Sequence, residues 1–238
     1  MRMTAQADPL ILFSESSLAH KWMDTTNERL QGILSEVRGP EILHVGCVNH
    51  DLPQNQAQVR DHLHYQLCRR FPECHVMGLD IEADAIEQMK KLGLEVEQGD
   101  AQAMSYRQEF DTIVAGELLE HLQNPGLFLA GCARALKPGG RLVLTTPNVF
   151  TPLLFLMYLK NYDQAFNPDH AAWFCPQTLR EILRRSNFIV TDLRFVDDLR
   201  PNATDSYYYR GFAYVWKCIR PILPRTLRNT MLVVCQPR

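Results

Sequence analysis

The chain has 238 residues, of which 46% are hydrophobic and 22% are charged, and its formal net charge is −2. A dedicated nucleic-acid-binding protein would usually carry a strong basic excess, so this balance argues against one while leaving a local basic patch open. The length is enough for one large α/β domain or two small ones, with a substantial core.

The cysteines and the apolar runs indicate the cellular compartment that suits such a chain. Its seven cysteines are scattered without a C-x-x-C pair, which is typical of reduced thiols in a cytoplasmic protein rather than of a disulfide framework or a zinc site. The longest apolar run, residues 152–159, is far shorter than the roughly 20 residues that span a bilayer. We therefore expect a cytoplasmic protein without a transmembrane segment, with peripheral contact with a membrane surface left open.

Predicted strands and helices alternate along the chain. Residues 14–38 predict an N-terminal helix, because apolar residues recur near helical spacing until Gly39-Pro40 ends the run. The predicted strands are residues 41–46, 75–80, 94–98, 110–116, 141–146, 188–195 and 230–235. The predicted helices between them are residues 61–71, 83–92, 125–136 and a helix that begins at Pro176. This alternation predicts an α/β fold with a parallel sheet and helices on both faces.

The ends of the early strands carry residues that suit a nucleoside-like ligand. The first strand ends at Gly46, where a ligand could approach the backbone closely. The second strand ends at Asp80, whose carboxylate could accept from both hydroxyls of a ribose, and Asp100 follows the third strand, within reach of an exocyclic amine. The alternative is that Asp80 caps the following turn and that Asp100 is an ordinary loop acid.

Five segments in order resemble the class I S-adenosylmethionine-dependent methyltransferases. The segments are Val45-Gly46-Cys47, Gly78-Leu79-Asp80, Gly99-Asp100-Ala101, Phe110-Asp111 through Leu119-Glu120-His121, and Leu136-Lys137-Pro138-Gly139-Gly140. The resemblance covers roughly residues 40–190 and is closest to the branch of the ubiquinone-biosynthesis O-methyltransferases. It implies a Rossmann-like, seven-stranded, mostly parallel sheet whose last strand is antiparallel. It also implies S-adenosyl-L-methionine as the cofactor.

The same resemblance implies where the cofactor lies. Gly46 and Cys47 would contact the methionine part, Asp80 would bind the ribose, and Asp100 with Ala101 would lie at the adenine. The backbone near Glu117 would also line the methionine. The predicted cofactor-binding residues are Gly46, Cys47, Asp80, Ile81, Asp100, Ala101 and Glu117.

The loop after Gly46 departs from the family pattern. The family usually carries two or three glycines there, whereas this chain continues Cys47-Val48-Asn49-His50. A dinucleotide enzyme needs G-x-G-x-x-G to place a pyrophosphate on a helix N-terminus, so the loop counts against NAD. S-adenosylmethionine has no phosphate and remains favoured. We interpret Cys47 as a small spacer beside the ligand rather than as a nucleophile.

Candidate catalytic residues follow the fourth and fifth strands. Glu117, Glu120 and His121 have i, i+3, i+4 spacing, which would place them on one face of a helix. His170 follows the fifth strand and could return over the same edge of the sheet. This set is similar to the Glu-x-x-Glu-His plus distant His of ubiquinone O-methyltransferases and small-RNA 2′-O-methyltransferases, which are associated with a divalent metal. We predict His121 and His170 as general base or acceptor-binding groups; a divalent metal is possible but not expected, and its ligands are unknown.

Two aromatic-rich segments, residues 149–162 and an insert at 197–229, are expected to shape the acceptor pocket. Aromatic and basic side chains together suit an amphiphilic or sugar-bearing acceptor, or the headgroup layer of a membrane. They could equally cover the edge of the sheet or form a homodimer contact. His50, His62 and His64 form a loose cluster for which ordinary solvated or hydrogen-bonded roles are favoured, and His50 stands where the cofactor or acceptor could be met.

These observations predict one methyltransferase domain over residues 1–238. It comprises a helical cap at 1–39, a cofactor-binding core at 40–196 and the insert at 197–229. The predicted reaction is O-methylation of a small molecule or of a lipid- or sugar-type cell-envelope acceptor. The alternatives are a methyltransferase-like cofactor-binding protein without transfer activity and, less favoured, a nucleic-acid methyltransferase. No nucleic-acid partner is expected.

Overall fold

The computed structural model describes residues 28–48, 62–160, 167–198 and 207–238. The first half of the predicted N-terminal helix and His50 lie outside these ranges. No helix in the described ranges is both long and apolar enough to cross a membrane.

Seven strands of the described residues form one sheet. They are β1 (Glu41–Val45), β2 (His75–Asp80), β3 (Val96–Gln98), β4 (Phe110–Gly116), β5 (Leu136–Pro147), β6 (Phe188–Val196) and β7 (Thr230–Pro237). Their order across the sheet is β3-β2-β1-β4-β5-β7-β6. Only β7 runs antiparallel to its neighbours β5 and β6, and the pairs from β3 to β5 are parallel. The predicted mostly parallel sheet with an antiparallel last strand is confirmed.

Helices connect the strands and cover both faces of the sheet. They are α1 (Glu28–Glu36), α2 (Leu63–Arg70), α3 (Ala83–Lys91), α4 (Pro125–Ala135), α5 (Pro152–Lys160), α6 (Pro176–Arg185) and α7 (Tyr207–Ile219). Short 3-10 turns occupy Ala101–Ala103, Leu119–His121 and Arg225–Leu227. Helix α7 lies within the predicted insert.

The central strands are apolar because both of their faces are buried. Neighbouring residues of β1 point to opposite faces: Leu43 joins the core cluster that includes Phe128 of α4, whereas Ile42 joins the one that includes Ile33 of α1. The strand order reverses between β1 and β4, so the carboxyl ends of these strands flank a crevice of the kind where α/β folds bind ligands. We call this side of the sheet the carboxyl edge.

Three predicted elements differ from the structure. β5 begins at Leu136, not at residue 141, because the segment through Gly139 (φ +82°) pairs with the start of β4 as a bulge. The irregular region after β5 contains helix α5, which is apolar on every side and so has no helical period to detect. Residues 117–122 do not form one helical turn, since Glu117 takes φ +57° and the 3-10 turn begins only at Leu119.

Candidate active site

Gly46 ends β1 in a backbone conformation that favours glycine. Its φ is +73°, and an added Cβ would lie 3.2 Å from Leu118 Cδ1. Its amide donates to the Leu79 carbonyl of β2 at 2.8 Å. The chain therefore turns out of the sheet here with little side-chain bulk, which leaves the backbone accessible at the carboxyl edge.

Asp80 at the end of β2 organises the loop after Gly46. Its Oδ2 accepts from the Val48 amide at 2.8 Å, and its Oδ1 accepts from the Glu82 amide at 3.2 Å. The carboxylate thus caps the turn that follows β2, as the alternative interpretation expected. Because a carboxylate has about four acceptor positions, these two bonds leave acceptor capacity for the hydroxyls of a ribose.

Ile81, predicted to bind the cofactor, and Asp100 and Ala101, predicted near its adenine, lie at the same edge of the sheet, beyond β2 and β3. Ile81 is 61% exposed, an unusual state for isoleucine at a strand end. Asp100 is exposed, and its Oδ1 accepts from the Gln102 amide at 2.8 Å, so it caps the short turn that begins at half-buried Ala101. Asp100 therefore has a local structural role whether or not it also contacts a ligand.

Cys47 places its side chain in the protein interior. It is 1% exposed and belongs to the cluster that packs α3 on the sheet, including Ile86 and Met89. An added Cβ at Gly78 would lie only 2.7 Å from the sulfur, so the two residues are in direct contact. Burial raises the pKa of the Cys47 thiol, which disfavours the nucleophilic thiolate. These features fit a spacer and leave only the backbone of Cys47 for a ligand.

Glu117 does not share a helical face with Glu120 and His121, contrary to the prediction, because the 3-10 turn begins only at Leu119. Its amide donates to the Thr145 carbonyl at 2.9 Å, and its φ is positive. Its Oε1 lies 3.4 Å from the Thr230 hydroxyl oxygen, which donates to it. The helical spacing failed because the chain leaves β4 through a left-handed residue.

Arg29 of α1 lies next to Glu117 in the candidate site, and its role was not predicted from the sequence. Its Nε donates to the Thr145 hydroxyl at 3.0 Å and its Nη1 donates to Asp198 Oδ2 at 3.1 Å. Nε lies 3.8 Å from Glu117 Oε1. Burial lowers the pKa of the guanidinium, but Glu117 and Asp198 outweigh this and raise the pKa overall. The sequence signal for this residue was a lone arginine beside the apolar face of the N-terminal helix. Its hydrogen-bond partner, Thr145, is 116 residues away along the chain.

Glu120, His121 and His170 converge beside the end of β4. One side-chain ligand atom from each lies within 4.8 Å of the other two. The rings of His121 and His170 meet edge to face with centroids 4.7 Å apart. The amides of Ala171 and Ala172 donate to the Glu120 carbonyl at 2.8 and 3.1 Å, which brings the segment after β5 back over the carboxyl edge. The predicted meeting of His121 and His170 is therefore present.

The Glu120 carboxyl is buried and only half satisfied. It is 1% exposed; its Oε2 accepts from the Thr146 hydroxyl at 3.0 Å, whereas Oε1 has no hydrogen-bond partner among the described residues. Burial, followed by repulsion from Glu117, raises the pKa of this carboxyl to about 8. A proton or a bound cation would satisfy the open oxygen. Two imidazoles and a carboxylate suit zinc or iron better than magnesium.

His44, His62 and His64 are buried rather than solvated. His44 of β1 and His64 of α2 stack with their Nδ1 atoms 3.4 Å apart, and His62 packs edge-on against Tyr65 with ring centroids 5.0 Å apart. Burial lowers the pKa of His62 to about 4 and that of His64 to about 3. These rings are neutral near pH 7 and belong to the packing of α2 on the sheet.

Comparison with known proteins places the chain in a family. Residues 15–193 match the family model described as a methyltransferase domain. The chain belongs to this methyltransferase family. This membership, with the confirmed seven-stranded fold, makes it an S-adenosylmethionine-dependent methyltransferase, as predicted.

Individual relatives of this methyltransferase are distant but extend over most of it. A ubiquinone biosynthesis O-methyltransferase from Aromatoleum aromaticum is 26% identical over 80% of this chain and 87% of its own length. The enzyme of the same name from an Azoarcus species is 28% identical with the same coverage. The crystal structure of a SAM-dependent methyltransferase from Archaeoglobus fulgidus superposes with a TM-score of 0.56 and 18% identity, covering 87% of this chain and 90% of that one, which supports the fold.

Proposed function

We propose that this methyltransferase transfers the methyl group of S-adenosylmethionine to a hydroxyl oxygen of an aromatic or otherwise amphiphilic small molecule. The observation that carries the proposal is the convergence of Glu120, His121 and His170 within 4.8 Å beside the end of β4. A hydroxyl acceptor requires deprotonation, which these groups can assist. The relatives named as ubiquinone biosynthesis O-methyltransferases support oxygen as the target.

The cofactor would lie across the carboxyl ends of β1, β2 and β4. The open backbone at Gly46 and the remaining acceptor capacity of Asp80 fit the sulfonium and ribose parts. The proposed contacts are Gly46, the backbone of Cys47, Asp80, Ile81, Asp100, Ala101 and Glu117. The bound cofactor supplies the electrophilic methyl group, and the protein aligns that group with the acceptor oxygen.

Arg29 and Glu117 carry charges opposite to those of the carboxylate and the ammonium group of an amino acid. The methionine part of the cofactor carries a carboxylate and an ammonium group, and the site offers a guanidinium and a carboxylate 3.8 Å apart. Arginine has five N–H donors, of which two are engaged with Thr145 and Asp198. We assign the methionine carboxylate to Arg29 and the ammonium to Glu117.

The protein groups beside β4 would handle the acceptor proton. An imidazole of His121 or His170 accepts the hydroxyl proton as the oxygen attacks the methyl carbon in line with the departing sulfur. Glu120, whose pKa is raised to about 8, holds a proton near neutral pH and can donate a hydrogen bond from its open oxygen. Alternatively, Glu120, His121 and His170 would hold a divalent metal, which lowers the pKa of a bound hydroxyl.

We further propose that residues 1–238 form one domain, with a cap at 1–39, a cofactor-binding core at 40–196 and an insert at 197–229. Arg29 of the cap donates to Thr145 of the core, and Asn148 of the core donates to the Arg228 carbonyl of the insert. We place the protein in the cytoplasm, which agrees with its seven free cysteines, all of which the structure describes.

The test is methyl transfer from labelled S-adenosylmethionine to matched acceptors: o-diphenols, the corresponding amines, and RNA. We expect O-methylated diphenol as the product, and its loss in His121→Gln. His75→Gln is the matched control, because His75 is half-exposed at the opposite end of β2. Transfer to nitrogen would overturn the choice of oxygen, and transfer to RNA would overturn the choice of a small-molecule acceptor. Cofactor binding without transfer to any acceptor would favour the binding-protein alternative.

A further inference from the structure

Exposed apolar side chains are concentrated in two stretches of the described residues. Among all the described residues, fourteen large apolar side chains are exposed. Ten of these lie in or just before helix α5, or in or just after helix α7. These ten are Phe150, Phe155, Leu156, Met157, Tyr158, Leu159, Tyr214, Val215, Ile219 and Ile222. We call them the outer apolar surface. Exposed apolar side chains concentrated in this way are typical of an interaction site.

Both stretches leave the sheet at the same edge. Pro147 at the end of β5 pairs with Thr230 at the start of β7, because the two strands are antiparallel. Asn148 then joins the two chains, since its Nδ2 donates to the carbonyls of Thr226 at 2.9 Å and Arg228 at 2.8 Å. The start of α5 and the segment after α7 are therefore held together beside the candidate active site.

Helix α7 exposes several apolar side chains on its outer side. Its inner side is held by polar contacts: Trp216 Nε1 donates to Asp197 Oδ1 at 3.2 Å, and Arg220 Nη1 donates to Asp197 Oδ2 at 3.1 Å. Tyr214 and Val215, on the other side of the helix, are 72% and 53% exposed. The helix therefore exposes apolar side chains in addition to the buried Trp216, whereas an ordinary surface helix exposes mainly polar ones.

The two segments that carry the outer apolar surface contain basic residues but no acidic ones. No aspartate or glutamate occurs from Ser206 to the end of the chain, nor from Asn148 to Tyr162. Of the basic residues in the last 33, Arg220 and Arg228 pair with Asp197 and Glu28, and Arg238 lies at the opposite edge of the sheet, where its amide donates to the Asn187 carbonyl. Lys217 and Arg225 are exposed beside the apolar side chains. Apolar groups bordered by lysine and arginine complement an anionic lipid surface, whereas a second copy would oppose this charge with its own.

We propose that the outer apolar surface docks on an anionic lipid bilayer, with α5 and α7 lying in the headgroup layer. The carboxyl edge of the sheet would then face the membrane. This goes beyond the proposed reaction and does not depend on which atom is methylated. It would allow an acceptor with an apolar tail to reach the site directly from the bilayer.

The test is flotation of the full chain with phosphatidylcholine vesicles, with and without about one third phosphatidylglycerol. We expect binding to the anionic vesicles that weakens at high salt, and little binding to phosphatidylcholine alone. The double variants Phe155→Ser/Leu159→Ser and Ile219→Ser/Ile222→Ser should each weaken binding by about tenfold or more. Ile189→Ser is the matched control, because Ile189 is 51% exposed at the start of β6, on the opposite edge of the sheet.

Calorimetry with S-adenosylmethionine shows whether each variant is folded and separates this proposal from the proposed reaction. Absence of wild-type binding to anionic vesicles would overturn the membrane proposal, as would an equal loss in Ile189→Ser. A concentration-dependent dimer that both double variants abolish would instead assign the surface to contact between copies, and it too would overturn the proposal. Vesicle binding without methyl transfer would leave this proposal standing and count against the other.

Discussion

The guanidinium of Arg29 and the carboxylate of Glu117 lie side by side where β4 ends, with 3.8 Å between Nε and Oε1. They come from the cap helix and from the central sheet, and Asp198 and Thr145 hold the guanidinium from two other sides. A paired cation and anion at a ligand edge, with donors to spare, matches the zwitterionic end of an amino acid.

Replacing Arg29 should weaken cofactor binding. A charge-assisted hydrogen bond contributes roughly 1.5–3 kcal/mol, so Arg29→Met should raise the dissociation constant of S-adenosylmethionine by about tenfold to a hundredfold. Decarboxylated S-adenosylmethionine, which lacks the carboxylate, should bind the variant and the wild type with similar affinity. Calorimetry measures both. Arg184→Met is the control, since Arg184 pairs with Glu181 on the surface of α6, and an equal effect there would contradict the assignment.

Asp80→Ala should impair both the cofactor site and the loop. The substitution removes the proposed ribose contact and leaves the Val48 amide without its acceptor. We expect weaker binding of S-adenosylmethionine and of its demethylated product alike, because both carry the ribose. Asp84→Ala, an exposed position in the first turn of α3, should bind both as the wild type does. Failure of the wild type itself to bind either compound would contradict the methyltransferase function.

Glu120 should make the metal-free protein less stable as the pH rises. Its folded pKa of about 8 exceeds the value of about 4.3 in an unfolded chain. The folded state therefore holds the proton more tightly, and stability falls between these two pH values. Glu120→Gln should remove that decline and raise the melting temperature at pH 7.

Thermal unfolding between pH 5 and 8, with a chelator present, measures this effect of Glu120. Restoration of wild-type stability by added zinc, but not in Glu120→Gln, would indicate that the carboxyl, His121 and His170 bind a metal. An unchanged pH dependence in Glu120→Gln would show that the open Oε1 atom is not the cause.

The buried histidines should contribute to acid denaturation. The folded pKa of His62 is about 4 and the unfolded value is about 6.5, so the unfolded state binds the proton first as the pH falls. Stability is then lost from about pH 6.5 downwards. His62→Phe, which keeps a ring against Tyr65, should reduce this loss in urea unfolding at pH 5.

His75 provides a control of opposite sign for this acid effect. Hydrogen bonds to Glu95 and Glu41 raise its pKa, so its contribution is present at low pH and is lost as the pH rises through the folded pKa. His75→Gln should therefore steepen, not reduce, the loss of stability towards acid. A steeper loss in His62→Phe would contradict the assignment of His62.

Local patterns predicted the sheet well where apolar runs are continuous and bounded by turn residues. β2 and β4 have the predicted bounds because each is a short buried run that ends at a polar residue or at glycine. Helix α5 was not predicted, because a helix that is apolar on every side has no amphipathic period. The start of β5 was interpreted as a turn because Pro138-Gly139-Gly140 is locally turn-like, although it pairs with β4.

The residues of the candidate site also divide into those that local sequence patterns could predict and those that they could not. Gly46, Asp80 and Asp100 could be placed from sequence because each directly follows a strand, and parallel strands end at a common edge. The position of Glu117 could not be predicted in this way, because Glu117 itself takes a left-handed backbone conformation where β4 ends. Gly116 there admits Arg29 so closely that an added Cβ would lie 2.7 Å from Nη2. No local pattern specifies such a contact.

The sequence by itself determined the order of strands and helices, the methyltransferase resemblance and the set of acids along one edge. These follow from apolar runs, turn residues and short motifs, which act over a few neighbouring residues. Only the tertiary structure decided that Arg29 meets Glu117, that His170 meets His121, and that α7 buries Trp216 while it exposes Tyr214 and Val215. These depend on packing and hydrogen bonds between segments distant in sequence, such as Arg29 with Thr145 and Asp197 with Trp216.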